Sequence, residues 1–232
     1  MTAKRSLSNA IIEAKRGGRS PVIVDIKPVS PRDGDLLKER TPAQLARIVQ
    51  EAGACAVSVV TEPVHFGGSV EMLREVADGC DLPVLQKDFF TRPEQVDESC
   101  DAGASAFLLI LSTVSDEVAH KLHERGKELG MEAVVEVHTE QELQRAIALK
   151  PAIIGINNRD INRLELDAGD VRVTEKLAPL TPEHIPTISE SSLLTPEDVK
   201  RAFRAGADAV LIGTAILQAA DLRASLENLT SF

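Results

Sequence analysis

Charged and amide side chains close several of the apolar runs in this sequence. Asp25 and Lys27 end the run Val22-Ile-Val-Asp-Ile-Lys, and their two-residue spacing puts both side chains on one side of a strand. Other runs close on the polar residues Lys87, Glu136, Asn157 and Glu190. Each of these alone could be a solvated charge at a strand end. Lysines and carboxylates gathered in one place, however, would perturb each other's pKa values and supply both an acid and a base.

A repeated pattern of helix, glycine and strand positions these residues. Three amphipathic stretches are followed by a glycine and an apolar run, in segments that begin at Ala52, Ala102 and Ala205. The glycine suits the residue after a helix, where φ is positive, and the apolar run suits a buried parallel strand. Threonines with a polar or acidic residue three positions later predict helix N-caps at Thr41, Thr139 and Thr195.

Eight short apolar runs alternate with these helices. They lie near residues 22–26, 56–60, 83–86, 105–111, 132–137, 152–156, 185–189 and 208–212. Strands that are apolar on both faces and alternate with helices predict an α/β fold, a (β/α)8 TIM barrel, with a short N-terminal helix from Ser6. No linker divides the chain, so we expect one domain over residues 1–232. A doubly wound open sheet is the alternative fold.

Small and hydroxyl-bearing residues follow the seventh and eighth runs. They are Ser191, Ser192, Gly213 and Thr214. In a barrel, the loops after these two strands often bind phosphate through backbone N–H groups and the start of a short helix. The sequence therefore predicts a phosphorylated small molecule as substrate.

Composition excludes several other classes of partner. The chain has 26 Lys and Arg against 36 Asp and Glu, a net charge of −10, which argues against nucleic acid or an anionic membrane. No apolar run approaches the roughly 20 residues that span a bilayer, and the first residues do not have the pattern of a signal peptide. The three cysteines form no close ligand pair and the five histidines have no metal-ligand spacing, so we expect no metal site. We expect a cytoplasmic protein that is a monomer or a weak homodimer.

Seven segments in order resemble indole-3-glycerol phosphate synthase. They begin at Ile23 (Ile-Val-Asp-Ile-Lys-Pro-Val-Ser-Pro), Val59 (Val-Val-Thr-Glu-Pro-Val-His-Phe-Gly-Gly-Ser), Pro83 (Pro-Val-Leu-Gln-Lys-Asp-Phe), Leu129 (Leu-Gly-Met-Glu-Ala-Val-Val-Glu-Val-His), Ile154 (Ile-Gly-Ile-Asn-Asn-Arg-Asp), Ser189 (Ser-Glu-Ser) and Leu211 (Leu-Ile-Gly-Thr). The likeness runs from about Ser6 to the end of the sequence. It implies a carboxy-lyase of tryptophan biosynthesis that closes 1-(2-carboxyphenylamino)-1-deoxyribulose 5-phosphate to indole-3-glycerol phosphate, with loss of CO2 and water. Such enzymes use no metal or organic cofactor.

The resemblance also implies a role for each site residue. Lys87 resembles the general acid that protonates the substrate carbonyl oxygen, and Glu136 resembles the carboxylate used in the later dehydration. Lys27 would hold an anionic group and Asn157 would supply an amide hydrogen bond. Asp25 and Glu190 would orient the lysines and the substrate hydroxyls. Phosphate would be bound by Ser191, Ser192, Gly213 and Thr214, and the anthranilate ring would lie against Phe66, Phe89, Pro31, Leu108 and Ile110.

The sequence departs from the family pattern at a few positions. Asp25 stands where the family usually has glutamate, so its hydrogen bond to a lysine is expected to be lengthened or re-aimed. Ser192 stands where glycine is expected, which is unfavourable if its φ is positive. The usual helix upstream of the barrel, which covers the mouth, is missing, so we expect a less shielded substrate.

These departures leave two alternatives open: another phosphate-binding barrel enzyme, such as an isomerase of a phosphoribosyl intermediate, or a non-catalytic barrel of the same family. Near the predicted site, His138 is expected to make a loop hydrogen bond. Arg159 is expected to pair with Asp160 at the rim.

Overall fold

Eight parallel strands close into a barrel in the computed structural model, which describes residues 5–159 and 170–231. In chain order they are β1 (Val22–Ile26), β2 (Ala56–Val60), β3 (Val84–Lys87), β4 (Ala106–Ile110), β5 (Glu132–Val137), β6 (Ile153–Asn157), β7 (Thr187–Glu190) and β8 (Ala209–Ile212). Each strand pairs with the next in sequence, and β8 pairs with β1 through Val22 and Val210. This closure confirms the TIM barrel and excludes the open doubly wound sheet.

Helices surround the barrel and alternate with its strands. They are α1 (Leu7–Arg16), α2 (Pro42–Glu51), α3 (Val70–Gly79), α4 (Pro93–Asp101), α5 (Asp116–Glu128), α6 (Glu140–Leu149), α7 (Arg172–Leu177), α8 (Pro196–Arg204), α9 (Thr214–Leu217) and α10 (Leu222–Thr230). Short 3-10 helices cover Leu111–Thr113 and Ala178–Leu180, and Val29–Ser30 pairs with Gly34–Asp35 as a small antiparallel hairpin after β1.

The predicted helix boundaries are confirmed. Thr41 and Thr195 begin α2 and α8 with capping boxes, and the Thr139 hydroxyl accepts a hydrogen bond from the Glu142 N–H at the start of α6. The glycines that follow Ala52, Ala102 and Ala205 have φ of 89°, 92° and 107°. Such a φ strains any residue with a Cβ, so the glycine ends the helix and turns the chain into the next strand.

Two apolar cores result from the alternation of side chains along each strand. Outward residues such as Val24, Val57 and Leu109 pack against the surrounding helices. Inward residues such as Ile23 and Leu85 fill the barrel itself. Because the side-chain period of a strand is two, the inward set continues along each strand to its C-terminal end, and the residue found there faces the barrel mouth.

Helix α1 closes the opposite end of the barrel. Its Leu7 and Ile11 are fully buried and join the inward core. The carboxylate of Glu132, the first residue of β5, accepts hydrogen bonds from the Ser6 hydroxyl at 2.9 Å and from the Leu7 N–H at 2.6 Å. The predicted N-terminal helix therefore lies at the N-terminal ends of the strands, away from the residues that close them.

Candidate active site

Polar residues occupy the inward positions at the C-terminal ends of the strands. Asp25 and Lys27 continue the inward series of β1. The corresponding residues on other strands are Lys87 on β3, Glu136 on β5, Asn157 on β6 and Glu190 on β7. Asn157 lies opposite Glu190 in the register of β6 and β7, Lys87 contacts Glu190, and all of the six except Glu190 line one cavity. The structure therefore gathers all six predicted catalytic residues in one mouth.

A buried ion pair joins two of these residues across the barrel. The Lys87 Nζ lies 2.8 Å from the Glu190 Oε2, although the two residues are 103 positions apart in sequence. The Glu190 side chain is fully buried and that of Lys87 is 15% exposed. Gly155 on β6 makes room for the carboxylate, since a Cβ at that position would lie 2.2 Å from the Glu190 Oε1.

The carboxylates around Lys87 keep its amine charged. Burial by itself would lower the pKa of Lys87, but the negative charges around it, first that of Glu190 and then that of Asp25, outweigh burial and raise this pKa above its usual value. Asp25 acts here through its charge, and its Oδ1 has no hydrogen-bond partner among the described residues. Lys87 is therefore an ammonium group that faces the cavity with its proton in place.

Glu136 is a fully buried carboxyl with a weak set of partners. Its contacts are with the His138 Nε2, which lies 3.5 Å from its Oε1, and with the side-chain amide of Asn157. Burial and then the Glu190 charge raise the pKa of Glu136, whereas Lys87 and His138 act against them. The environment thus favours the protonated form of Glu136, which suits a group that exchanges a proton during a reaction.

An open cavity lies over these groups. Four of the five predicted apolar wall residues line it, namely Phe66, Phe89, Leu108 and Ile110. The Lys27 Nζ lies 5.6 Å from the centre of the Phe66 ring, within the range of a cation–π contact. Pro31 does not line this cavity. It is exposed in the turn of the small hairpin, because the chain leaves the mouth after Lys27.

A second cavity adjoins the first and is more polar. All four predicted phosphate-binding residues line it: Ser191, Ser192, Gly213 and Thr214. The two cavities share Asp25, Lys27, Lys87, Arg159 and Ser191. Three cations thus stand between an apolar compartment and a polar one, in a protein whose net charge is −10.

The loop after β7 adopts an unusual backbone conformation. Ser191 and Ser192 both have positive φ, 65° and 58°, so the condition that makes a Cβ at Ser192 unfavourable is met. The Asn158 amide holds this loop by donating to the carbonyl oxygens of Glu190 and Ser191 at 3.0 and 3.2 Å. The Asn158 Oδ1 in turn accepts hydrogen bonds from the N–H and hydroxyl groups of Thr174, both at 3.0 Å. A buried amide, rather than glycine, fixes the loop.

Two further residues of the site were not predicted. The Glu62 carboxylate accepts hydrogen bonds from three successive N–H groups, Val64, His65 and Phe66, and so fixes the loop that carries Phe66. Burial would raise the pKa of Glu62, but these N–H groups lower it below its usual value. In the sequence, the only signal is an acidic residue at the end of the second run.

Arg159 lines both cavities and is 7% exposed. Its expected partner at the rim, Asp160, lies outside the described residues. Its position two residues after Asn157 on the inward series of β6 was the available signal, because strand alternation points it into the mouth.

Other kinds of site are not evident in the described part of the chain. Over residues 5–159 and 170–231, no three His, Cys, Asp or Glu side chains are grouped so that they could hold a metal ion. Within the same ranges, no helix has the length and apolar character needed to cross a membrane.

Comparisons with known proteins agree with this geometry. The family model described as indole-3-glycerol phosphate synthase matches residues 1–229. The indole-3-glycerol phosphate synthase of Thermococcus kodakarensis is 46% identical over 215 residues, which cover 93% of this chain and 92% of that protein. That of Pyrococcus furiosus is 46% identical over 213 residues, 92% of this chain and 91% of that protein.

Among solved structures, the N-acetylmannosamine-6-phosphate 2-epimerase from Clostridium perfringens superposes with a TM-score of 0.69. It is 16% identical, with 93% of this chain and 92% of that chain covered, and it shows the fold alone. The family model and the close relatives establish more than the fold: this chain belongs to the indole-3-glycerol phosphate synthase family.

Proposed function

We propose that this chain closes 1-(2-carboxyphenylamino)-1-deoxyribulose 5-phosphate to indole-3-glycerol phosphate, with release of CO2 and water. The observation that carries the proposal is the buried Lys87–Glu190 pair between an apolar and a polar cavity. The substrate has the matching character, since an anthranilate ring lies at one end and a phosphate at the other. Family membership supports the same reaction.

Lys87 would act as general acid in the ring closure. The aromatic carbon attacks the ketone carbon, and the carbonyl oxygen takes a proton from the Lys87 ammonium as the carbon–carbon bond forms. A charged donor next to this oxygen stabilises the developing negative charge. Loss of CO2 from the carboxylate-bearing carbon then restores the aromatic ring.

Glu136 would act in the final dehydration. Its raised pKa favours a protonated carboxyl, which can give a proton to the hydroxyl that leaves as water, while the neighbouring ring carbon next to nitrogen releases a proton to solvent and the indole double bond forms. Asn157 lies beside Glu190 in register and would hydrogen-bond the substrate chain between the two steps.

The two cavities would hold the substrate in a reactive conformation. Phe66, Phe89, Leu108 and Ile110 give the anthranilate ring an apolar wall. Lys27 and Arg159, which line both cavities, would neutralise the anionic groups. Holding both ends brings the ring carbon close to the ketone, which removes much of the entropic cost of the reaction.

The test compares wild type with Lys87→Ala by the fluorescence of the indole product. The chain has no Trp or Tyr, so the protein's own emission is low. We expect wild type to form the product and Lys87→Ala to lose at least about a hundredfold in kcat, as for the loss of a general acid. Lys121→Ala, at an exposed lysine of α5, is the matched control and should keep wild-type kcat.

Two results would contradict the proposal. A wild-type protein that binds the substrate without forming indole would point to a non-catalytic barrel or another phosphorylated substrate. A Lys87→Ala variant within about tenfold of wild type would remove Lys87 from the role of general acid.

A further inference from the structure

His138 lies between the buried carboxyl of Glu136 and the carboxylate of Glu142. The His138 Nε2 lies 3.5 Å from the Glu136 Oε1, and its Nδ1 lies 3.3 Å from the Glu142 Oε2. The exposed fraction of the side chains is zero for Glu136, 15% for His138 and 16% for Glu142. The three side chains thus form a carboxyl–imidazole–carboxylate series that leads from the interior towards solvent.

The hydrogen bond from the main chain of His138 to Glu142 has a structural role, whereas the approach of the His138 ring to Glu136 has none. Glu142 is the third residue of α6, and its carboxylate accepts a hydrogen bond from the main-chain N–H of His138 at 2.7 Å. This bond fixes the chain where it enters the helix. The approach of the His138 ring to Glu136 adds nothing to the helix start, because Glu136 lies within β5.

His138 is a titratable neighbour of Glu136 and does not belong to the lining of the cavity. Lys87 and Glu190 are the other charged groups that act on Glu136, and both belong to the ion pair at the mouth. Among the described residues, Glu136 and Glu142 are the charged groups in contact with the His138 ring. Because His138 does not line the cavity, substrate bound there would leave its contact with Glu136 in place.

We infer that His138, held by Glu142, is a positioning residue that orients Glu136 and returns a proton to it while substrate covers the cavity. The inference rests on the proposed function, in which Glu136 protonates the leaving hydroxyl. As Glu136 gives up its proton, the Nε2–H bond of the His138 imidazolium breaks and the proton passes to the carboxylate. The neutral imidazole keeps its Nδ1–H on Glu142 and takes a new proton from water at its exposed edge.

The test measures kcat and KM of His138→Gln between pH 5 and 9 by indole fluorescence. Glutamine can hydrogen-bond Glu136 but does not titrate. We expect kcat to fall at least about tenfold, because the proton is no longer returned. KM should stay within about twofold, because His138 does not touch the substrate. We also expect the kcat–pH profile to lose one of its wild-type limbs, which a merely structural role would not change.

Glu142→Gln keeps the inference testable if His138→Gln does not fold. It retains an oxygen for the His138 main-chain N–H and removes the charge beside the ring. We therefore expect a smaller loss of kcat than in His138→Gln and a shift along the pH axis of one side of the kcat–pH profile. His120→Gln, at an exposed histidine of α5, is the matched control and should reproduce wild-type kinetics.

The inference and the proposed function fail in different ways. Wild-type pH profiles in both variants, or a raised KM with unchanged kcat, would overturn the role of His138 and leave the proposed function intact. A wild-type protein that forms no indole would overturn both.

Discussion

At the scale of single residues, the site depends on charges held out of water. Taking Lys87 and Glu190 out of solvent costs free energy that their mutual attraction alone need not return, so a buried pair of this kind is weak evidence for stability. Its value is in the chemistry, because the surrounding carboxylates keep the ammonium protonated at the pH of the cell. Variants that lack a buried ionisable group of the site should therefore have a higher free energy of unfolding than wild type.

Glu136→Gln should stabilise the protein in a pH-dependent way. The pKa of Glu136 is higher in the folded protein than its ordinary 4.5, so the unfolded chain releases this proton first. Wild-type stability is therefore lost as pH rises above about 4.5, by about 1.4 kcal/mol for each unit of the pKa difference. We expect urea unfolding to show no advantage of the variant at pH 4 and an advantage at pH 7.5. A difference independent of pH between Glu136→Gln and wild type would be inconsistent with a raised pKa, and Glu94→Gln, at an exposed carboxylate, is the control.

Gly155→Ala should slow catalysis without removing any reacting group. A Cβ at this position would lie 2.2 Å from the Glu190 Oε1 and 3.2 Å from a methyl carbon of Val134, so the Glu190 carboxylate must move and its contact with Lys87 is disturbed. We expect kcat to fall by about tenfold to a hundredfold, as for a displacement of roughly 1 Å in an active site. The control is Gly17→Ala, where φ is negative and the added Cβ meets no atom closer than 3.4 Å. Equal kcat values for Gly155→Ala and wild type would show that Glu190 does not position Lys87.

At the scale of elements, the loop between β7 and α8 is built by its neighbours. Ser191 and Ser192 have the positive φ that glycine adopts most easily, and the Asn158 amide holds their loop by its carbonyl oxygens. A hydrogen bond of 2.7 Å between the Thr174 and Ser189 hydroxyls ties the same network to β7 and α7. The loop is thus stabilised by side chains that belong to three other parts of the barrel wall.

Ser192→Gly should therefore increase stability. Glycine removes the steric cost of a positive φ, which is about 1 kcal/mol or slightly more for a residue with a Cβ. It also removes a buried hydroxyl that has no hydrogen-bond partner among the described residues. We expect Tm to rise by about 2–4 °C in calorimetry, the shift that corresponds to 1 kcal/mol in a domain of this size. Ser189→Gly, at an extended position in β7, should lower Tm, and a lower Tm for Ser192→Gly as well would show that the serine side chain stabilises the loop.

At the scale of the whole molecule, stability and chemistry are concentrated at opposite ends of the barrel. Helix α1 fills the end where the strands begin, with Glu132 accepting hydrogen bonds at its start and Lys15 paired with Asp208 near its end. The charged site occupies the other end. Substitutions in α1 should therefore change folding without changing the reaction.

Ile11→Ala tests this separation. Ile11 is fully buried in the barrel core, so truncation should cost about 2–4 kcal/mol of unfolding free energy through lost burial and the cavity that remains. We expect urea unfolding to show this loss and kcat and KM to stay at wild-type values under conditions where the variant is folded. Ile12→Ala is a matched control in the same helix, because Ile12 is only partly buried and does not belong to the barrel core. An altered KM in Ile11→Ala would show that α1 is coupled to the site.

Much of the fold follows from short-range patterns. The threonine caps, the glycines after α2, α4 and α8, and the apolar runs all act within a few residues, so they predict where each helix and strand begins and ends. The ends of β3, β6 and β7 extend to Lys87, Asn157 and Glu190, because these polar residues still pair with the neighbouring strand. Polarity alone would place them outside the strands.

The amino-acid sequence by itself determined the eight strands, their inward series and therefore the polar residues that reach the mouth. Only the tertiary structure decided which of those residues meet. The Lys87–Glu190 pair and the Asn158 clamp depend on register and closure between strands far apart in sequence. The physical reason is that backbone preferences and side-chain alternation are local, whereas ion pairs and cavities depend on how the closed barrel brings distant residues together.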